Sequence, residues 1–484
     1  MTSTSNELTV DVIIIGGGPT GENVADRAVQ GGLTAAIVER ELVGGECSYW
    51  ACMPTKALLR DAAVLRAARA LPAAGKAITG TLDPSAVFTR RDQFASSWDD
   101  SGQVEWLDSA GITLVRGHGR ITGTRTVTAT TDDGATTTLK ARHAVVVATG
   151  SAALIPPVSG LADANPWTNR EAAGATSVPD RLAIIGGGVV GAEMASAFTA
   201  LGSLVTLVSR TRLLPSVEEF AGEQVADTLR ENGATLHVDV DAVDVRRDDS
   251  GEVHLTLSDD TEVTADEVLV ATGRVPNTKD LGLEHVGLEP GSWLEVDDAL
   301  AVVGGDGQLE SGWLYAAGDV NHRALLTHHG KYQARALGDL IAARARGDEP
   351  DLSKWGRHAA TADEQAVTQV IFTDPEVIAV GHTAESAEAA GIEVGVVDFD
   401  LGSIAGASLH ADGYTGHARM VLDEERKVLV GFTAVGPDTA EMLHAATIAV
   451  VGEVPLDRLW HAVPAYPTMS EIWLRLLETA GRDR

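Results

Sequence analysis

Only two cysteines occur in 484 residues, Cys47 and Cys52, and both fall in one short stretch. A covalent staple across so small a loop removes little chain entropy, about 2 kcal/mol by the loop-length relation. Zinc needs three or four ligands, and no histidine or further cysteine stands near the pair in sequence. Redox chemistry explains the two thiols better. Aromatic residues are scarce at 4%, and Lys and Arg (37) are far outnumbered by Asp and Glu (69), for a net charge of −32. So acidic a surface keeps the protein soluble and repels phosphate backbones and anionic lipid, which disfavours nucleic acid and membrane partners. No run approaches the roughly 18 apolar residues of a membrane span. The opening MTSTSNEL has neither a basic nor an apolar signal region, so the cytoplasm is the expected compartment.

What is abundant is glycine, 51 residues, much of it in ordered turns. A chain of this length is expected to form roughly two to four domains. Two segments share one design. Val12-Ile13-Ile14-Ile15 runs into Gly16, Gly18 and Gly21, a helical stretch from Glu22 to Gln30, and a strand ending at Glu39. Leu182-Ala183-Ile184-Ile185 runs into Gly186, Gly188 and Gly191, a helix through Glu193 to Leu201, and the strand Leu204 to Val208. Each reads as a buried parallel strand, a glycine turn, a helix and a second strand. The glycines allow a tight turn, close approach of a pyrophosphate and close helix–strand packing, and the helix N-terminus faces the phosphates. One such turn is weak support, but two in the same context predict two dinucleotide sites.

The residue 18 positions beyond the last glycine separates them. Glu39 suits the ribose hydroxyls of an unphosphorylated adenosine, such as that of FAD. Ser209 stands at the matching place in the second segment, followed by Arg210 and Arg212. A hydroxyl with guanidiniums beside it welcomes a 2′-phosphate, so the second site leans to NADPH, with NADH as the alternative. Each nucleotide segment closes on a similar phrase, Val146-Val147-Ala148-Thr149-Gly150 and Leu269-Val270-Ala271-Thr272-Gly273-Arg274, and Ser258 to Thr261 reads as a hairpin turn. The strand through Ala317 ends at Gly318-Asp319, a place to fix a hydroxyl-rich part of a ligand, and helical periodicity resumes over Lys331–Arg346. Beyond the linker Gly347–Asp351, a final segment with a helix over Asp438–Val451 holds no nucleotide turn.

The redox stretch, Gly44-Gly45-Glu46-Cys47 through Cys52-Met53-Pro54-Thr55-Lys56, resembles the signature of the pyridine nucleotide–disulfide oxidoreductases, the group with dihydrolipoamide dehydrogenase, glutathione reductase and mercuric reductase. The resemblance spans nearly the whole chain and includes Phe372-Thr373-Asp374-Pro375-Glu376 and a C-terminal Pro-Thr-x-Ser-Glu, in the right order. It implies an α/β fold of two Rossmann-like domains, the FAD domain (1–156 and 277–350) split by an NAD(P)H domain (157–276), then an α+β dimerisation domain (351–484) forming a homodimer. It further implies a Cys47–Cys52 redox disulfide, with Cys52 proximal to the flavin and Cys47 the interchange thiol. Lys56 matches the lysine near the flavin, Glu193 its carboxylate partner, and Asp319 the ribityl contact. Pro54 fits a first helical turn, which would put Cys52 at the positive helix end that favours a thiolate.

The tail departs from the family pattern. Disulfide reductases carry His-Pro-Thr-x-Ser-Glu, in which the His, supplied by the partner subunit, takes a proton from the interchange thiol and the Glu orients it. Here Tyr466 precedes Pro467, with Glu471 retained. A phenol titrating near pH 10 is a poor base at neutral pH. Mercuric reductase also has a tyrosine there, yet this chain lacks that enzyme's C-terminal cysteine pair. His461 is a candidate substitute for the missing base or a surface or capping residue, His328 and His329 fall in the region that in the family runs beside the flavin or are helix caps, and Tyr49 and Trp50 either reshape access or pack. Three functions follow: a reductase passing electrons through the cysteines to a small acceptor, a quinone or metal-ion reductase with direct flavin transfer, and a slow redox sensor.

Overall fold

The computed structural model describes residues 6–304 and 312–482; positions 1–5, 305–311 and 483–484 of the expected domains lie outside the described residues. Two compact units emerge. The first takes residues up to Met53, Asp92–Ala152 and Arg274–Asp363, and the second takes Pro54–Arg91, Ala153–Gly273 and Glu364 onward. The first is thus built from pieces on either side of a long insertion. Among the described residues no helix is long and apolar enough to cross a membrane.

In the first unit the strand Asn6–Ile15 lies parallel between Ala35–Glu39 and Thr136–Val147. The chain places four fully apolar residues at Val12–Ile15, each 3% exposed or less, because both faces of the strand are covered: Val12 and Ile14 pack against the helices Pro19–Gln30 and Thr327–Arg346, Ile13 and Ile15 against Ile121, Val127 and Leu281. Thr136–Val147 divides its other edge. Its first half pairs antiparallel with Thr126–Thr130, and its end pairs parallel with Leu314–Ala316, which brings the Gly-Asp turn beside the first glycine turn. The helices Pro19–Gln30 and Thr327–Arg346 pack together where Gly31 and Gly338 leave no room for a side chain: a Cβ would come within 2.4 Å of Ala342 Cβ and 2.5 Å of Arg27 Cβ.

The second unit holds a parallel sheet in the order Thr235–Val238, Leu204–Ser209, Arg181–Ile185, Glu267–Val270. It also holds the antiparallel hairpin Val253–Leu257 and Glu262–Ala265, and a five-stranded antiparallel sheet in the C-terminal part. Three helices differ from the sequence expectation. Pro19 opens the first at its N-terminus, and Thr327 opens the one expected from Lys331. The C-terminal helix is confined to Leu443–Val451, since Asp438 takes a left-handed φ of 54° and Ala440–Met442 tighten into a 3-10 turn.

Candidate active site

The first glycine turn is compact for stated reasons. Gly16 sits at φ +107°, and a Cβ there would meet the Ala148 carbonyl oxygen at 2.4 Å; a Cβ on Gly21 would lie 1.9 Å from the Gly16 carbonyl oxygen. Gly18 caps the helix with no side-chain hydrogen bond, and a Cβ on Gly45 would come within 2.9 Å of the Gly18 Cα, so two backbone segments meet here without side chains between them. Glu39 is fixed by amides: its carboxylate accepts from Gly17 N (2.6 Å) and Glu41 N (2.7 Å). It lines a cavity of about 480 Å³ with Gly16, Arg40, Gly117, His118, Thr149 and Asn277, a size suited to a small ligand. Thr149 Oγ1 is buried with no hydrogen-bond partner, and Gly150 beside it takes a φ of +67°.

The same unit fixes the Gly-Asp turn. Gly318, at φ +79°, and Gly330 both crowd Thr20, where Cβ atoms would lie 2.8 and 2.3 Å from its hydroxyl. Asp319 accepts from Ser151 Oγ (2.5 Å), and Arg274 donates to the same hydroxyl (2.5 Å) and to the Ser151 carbonyl (2.6 Å). A side-chain-free phosphate cradle at a helix N-terminus, a carboxylate-lined cavity and an orphaned threonine hydroxyl are what an FAD would fill.

Cys47 lies in the short helix Gly45–Tyr49, and Cys52 begins the long helix Cys52–Arg69. The sulfurs stand as two thiols, hydrogen-bonded to each other. Cys52 Sγ also lies 3.3 Å from Thr327 Oγ1, at the start of the helix that follows the Gly-Asp turn. The Cys47 thiol is pushed far up, first by its hydrogen bond to Cys52, then by burial and by charge on Cys52; Thr327 and the Lys331 ammonium pull it back. Tyr49 packs rather than gating access: it is 1% exposed, donates to the Val43 carbonyl at 2.9 Å, and burial pushes its hydroxyl up to about 12.

In the second unit Lys56 Nζ meets Glu193 Oε2 at 2.7 Å, while Glu193 Oε1 accepts from Phe372 N at 2.9 Å. Glu193 is 3% exposed, so its charge is held by one cation and one amide, and removal of either partner leaves a buried charge uncompensated. The second glycine turn repeats the first. Gly186 (φ +121°) and Gly191 would carry Cβ atoms 2.3 Å from the Ala271 and 1.9 Å from the Gly186 carbonyl oxygen, and Gly188 faces open space. Ser209 is buried, with its hydroxyl against Gly187. Arg210 is 74% exposed, its Nε 3.6 Å from Asp241. Arg212 departs from the phosphate role expected of it: its guanidinium turns inward to the carbonyls of Leu213, Leu214, Pro215 and Val217. Gly273 takes a φ of +138° and its carbonyl accepts from Leu154 N (2.9 Å).

Tyr466 is 75% exposed, and Glu471 is buried with Oε1 accepting from Arg475 (2.6 Å) and Oε2 without a partner. His461 is exposed just past the helix Leu456–Leu459. His329 is buried against Asp363 (2.8 Å) with its ring 5.0 Å from His328, which marks a structural pair. Asp248, Glu252 and His254 bring ligand-type atoms within 4.8 Å of one another, although Asp248 already accepts from Ser250 and Glu252 amides. Sequence reading missed Thr327 and Ser151. Each is a lone hydroxyl whose partners lie 123 or more positions away, so only position relative to the motifs could have flagged them.

A family model described as pyridine nucleotide-disulphide oxidoreductase matches residues 10–334, and its dimerisation domain matches 367–476. The chain is 32% identical over 482 residues to a dihydrolipoyl dehydrogenase of Haloferax volcanii, covering 97% of this chain and 96% of that one. It is 29% identical to a mercuric reductase of Acidithiobacillus ferrooxidans, over 99% of this chain and 84% of that protein. The solved structure of LpdA from Mycobacterium tuberculosis superposes with a TM-score of 0.80 at 26% identity, covering 97% of this chain and 99% of that one. The Cu(II) complex of the HOCl-induced flavoprotein disulfide reductase RclA from Escherichia coli shares the fold, with a TM-score of 0.81 at 21% identity over 97% and 99% of the two chains. The protein belongs to the pyridine nucleotide–disulfide oxidoreductases, FAD-dependent enzymes that use NAD(P)H and a redox-active cysteine pair.

Proposed function

We propose that this protein is a homodimeric reductase, preferring NADPH, that passes electrons through Cys47 and Cys52 to a small disulfide or another thiol-reactive acceptor. The observation that carries the reading is the thiol pair itself: two sulfurs in mutual hydrogen bond, with Thr327 against them and Cys52 at a helix N-terminus. The first glycine turn, Glu39 and Asp319 would hold FAD, which would supply the conversion of a two-electron hydride donor into a reductant for the cysteines. Two electrons open the Cys47–Cys52 bond. The helix N-terminus would stabilise Cys52 as thiolate while Cys47 loses its proton and attacks one sulfur of the acceptor disulfide, forming a mixed disulfide as the other acceptor sulfur leaves as a thiolate. Cys52 then attacks Cys47, frees the second product thiol and restores the disulfide. In sum, NADPH, one proton and one disulfide become NADP⁺ and two thiols.

Support for NADPH is the uncharged Ser209 at the place Glu39 holds in the first turn, with the exposed Arg210 next to it. The deciding experiment is Cys47→Ser with NADPH and a panel of disulfides, quinones and metal ions. Loss of disulfide turnover with retained flavin reduction is expected; turnover that survives would sink the reading. A second reading, reduction of a metal ion or quinone, is favoured by Tyr466 in place of an imidazole, since such acceptors need no base at the interchange thiol.

A further inference from the structure

A second cavity has no assigned task. It holds about 440 Å³, a size suited to a small ligand, and it lies wholly within the second unit. Its walls are residues from Leu59 to Arg69 of the helix Cys52–Arg69, the end of the helix Val189–Ala200, the end of Glu219–Glu231 and the segment from Phe372 to Asp374. Leu59, Leu82, Leu229 and Phe372 supply an apolar lining, and Leu59 and Phe372 continue it into a buried cluster with Leu58 and Phe88. The charged residues on the wall are Arg66, Arg69 and Asp374. Arg66 pairs with Asp374. Arg69, at the exposed rim, donates to the Gly80 carbonyl at 3.0 Å and forms no ion pair among the described residues. In a chain of net charge −32, this wall is thus positive. Three helices end here, and their negative dipole ends would by themselves favour a cation. Amides of Leu71, Gly202 and Ala234, however, take up the carbonyls of Ala68, Thr199 and Leu229, which leaves the Arg69 guanidinium to set the sign.

We propose that this cavity binds a small aliphatic monocarboxylate, its chain over Leu59, Leu229 and Phe372 and its carboxylate on Arg69. The charges select the head group. A guanidinium without an ion pair matches one carboxylate in a two-pronged hydrogen bond, whereas a dicarboxylate or a phosphate monoester would leave negative charge unpaired against an apolar wall. The lining selects the body, since three leucines and one ring offer contact to a hydrocarbon chain and few polar groups to anything else. The occupant would lie against the Lys56–Glu193 pair through one residue. Phe372 donates its amide to Glu193 at 2.9 Å, and its ring centroid is 5.2 Å from Lys56 Nζ. A ligand packed on Phe372 holds that amide closed, because binding stabilises the local structure it needs. The proposal stands apart from the identity of the electron acceptor.

The probe is octanoate, with octanol and octylamine as its uncharged and cationic counterparts, each titrated calorimetrically into the FAD-loaded full-length enzyme. Saturable binding of octanoate is expected, about tenfold tighter than that of either counterpart. R69Q should weaken octanoate about tenfold and leave octanol unchanged, and R69K should restore most of the loss. A63L, which fills part of the cavity, should weaken octanoate and octanol alike. Deuterium exchange then locates the ligand: octanoate should slow exchange of the Phe372 amide about fivefold in the parent, and less in R69Q at the same concentration. No saturable binding, octylamine binding better than octanoate, R69Q binding octanoate like the parent, or saturation without protection at Phe372 would each overturn the proposal. Should A63L fail to fold, R69Q decides alone, since Arg69 is exposed and outside the core.

Discussion

The two glycine turns are nearly superimposable in their constraints and opposite in their electrostatics. In each, the third glycine would put a Cβ 1.9 Å from the carbonyl oxygen of the first, and the first sits at φ above +100° against an Ala carbonyl. After the next strand they diverge. The first turn ends on Glu39, a carboxylate clasped by two backbone amides, and the second on Ser209, a buried hydroxyl against Gly187. The backbone geometry the two turns share is thus separable from the side chain at the strand end. Steric demands fix the former, while the latter differs between the turns, a carboxylate in one and a hydroxyl in the other.

The comparison breaks most visibly at the shared glycines. Gly21→Ala should abolish FAD retention and destabilise the first unit by about 3 kcal/mol or more, because a methyl must displace a backbone carbonyl. Gly191→Ala should leave flavin absorbance intact and abolish reduction by NADPH. If both variants lose flavin alike, the two turns do not serve different nucleotides. Next in size is Ser209→Glu, which moves the first turn's carboxylate into the second. The NADPH to NADH ratio of kcat/KM is expected to fall about 30-fold, roughly 2 kcal/mol of repulsion and lost hydrogen bonding at a 2′-phosphate.

Much of this was readable in the sequence. The glycine spacing, Glu39 against Ser209, and the order of the motifs depend on local chain and on residue type, so a linear reading reaches them. Pairings that depend on distant chain were not readable. Thr327 meets Cys52 across 275 positions, Ser151 links Arg274 to Asp319, and nothing local shows that Glu22 is buried without a partner. Arg212 shows the opposite failure. Its position beside Ser209 suggested a phosphate contact, but the loop from Leu213 to Val217 exposes four carbonyls, and a guanidinium with five donors satisfies them better than any other side chain.

That distinction sharpens the comparison at its smallest effects. Arg212→Met should lower the melting temperature by a few degrees, about 1–2 kcal/mol of lost carbonyl capping, without moving the coenzyme ratio. Arg210→Ala should do the reverse. Its side chain is 74% exposed and only loosely held by Asp241 at 3.6 Å, so stability has little to lose. A 2′-phosphate on NADPH would offer it a stronger partner than Asp241 does, and an exposed charge-assisted contact is worth about 1 kcal/mol. The expected result is a KM for NADPH raised about fivefold with kcat and the KM for NADH unchanged. Equal rises for both coenzymes would mean that Arg210 merely contributes to the general field of the site, and the selectivity of the second turn would then rest on Ser209 alone.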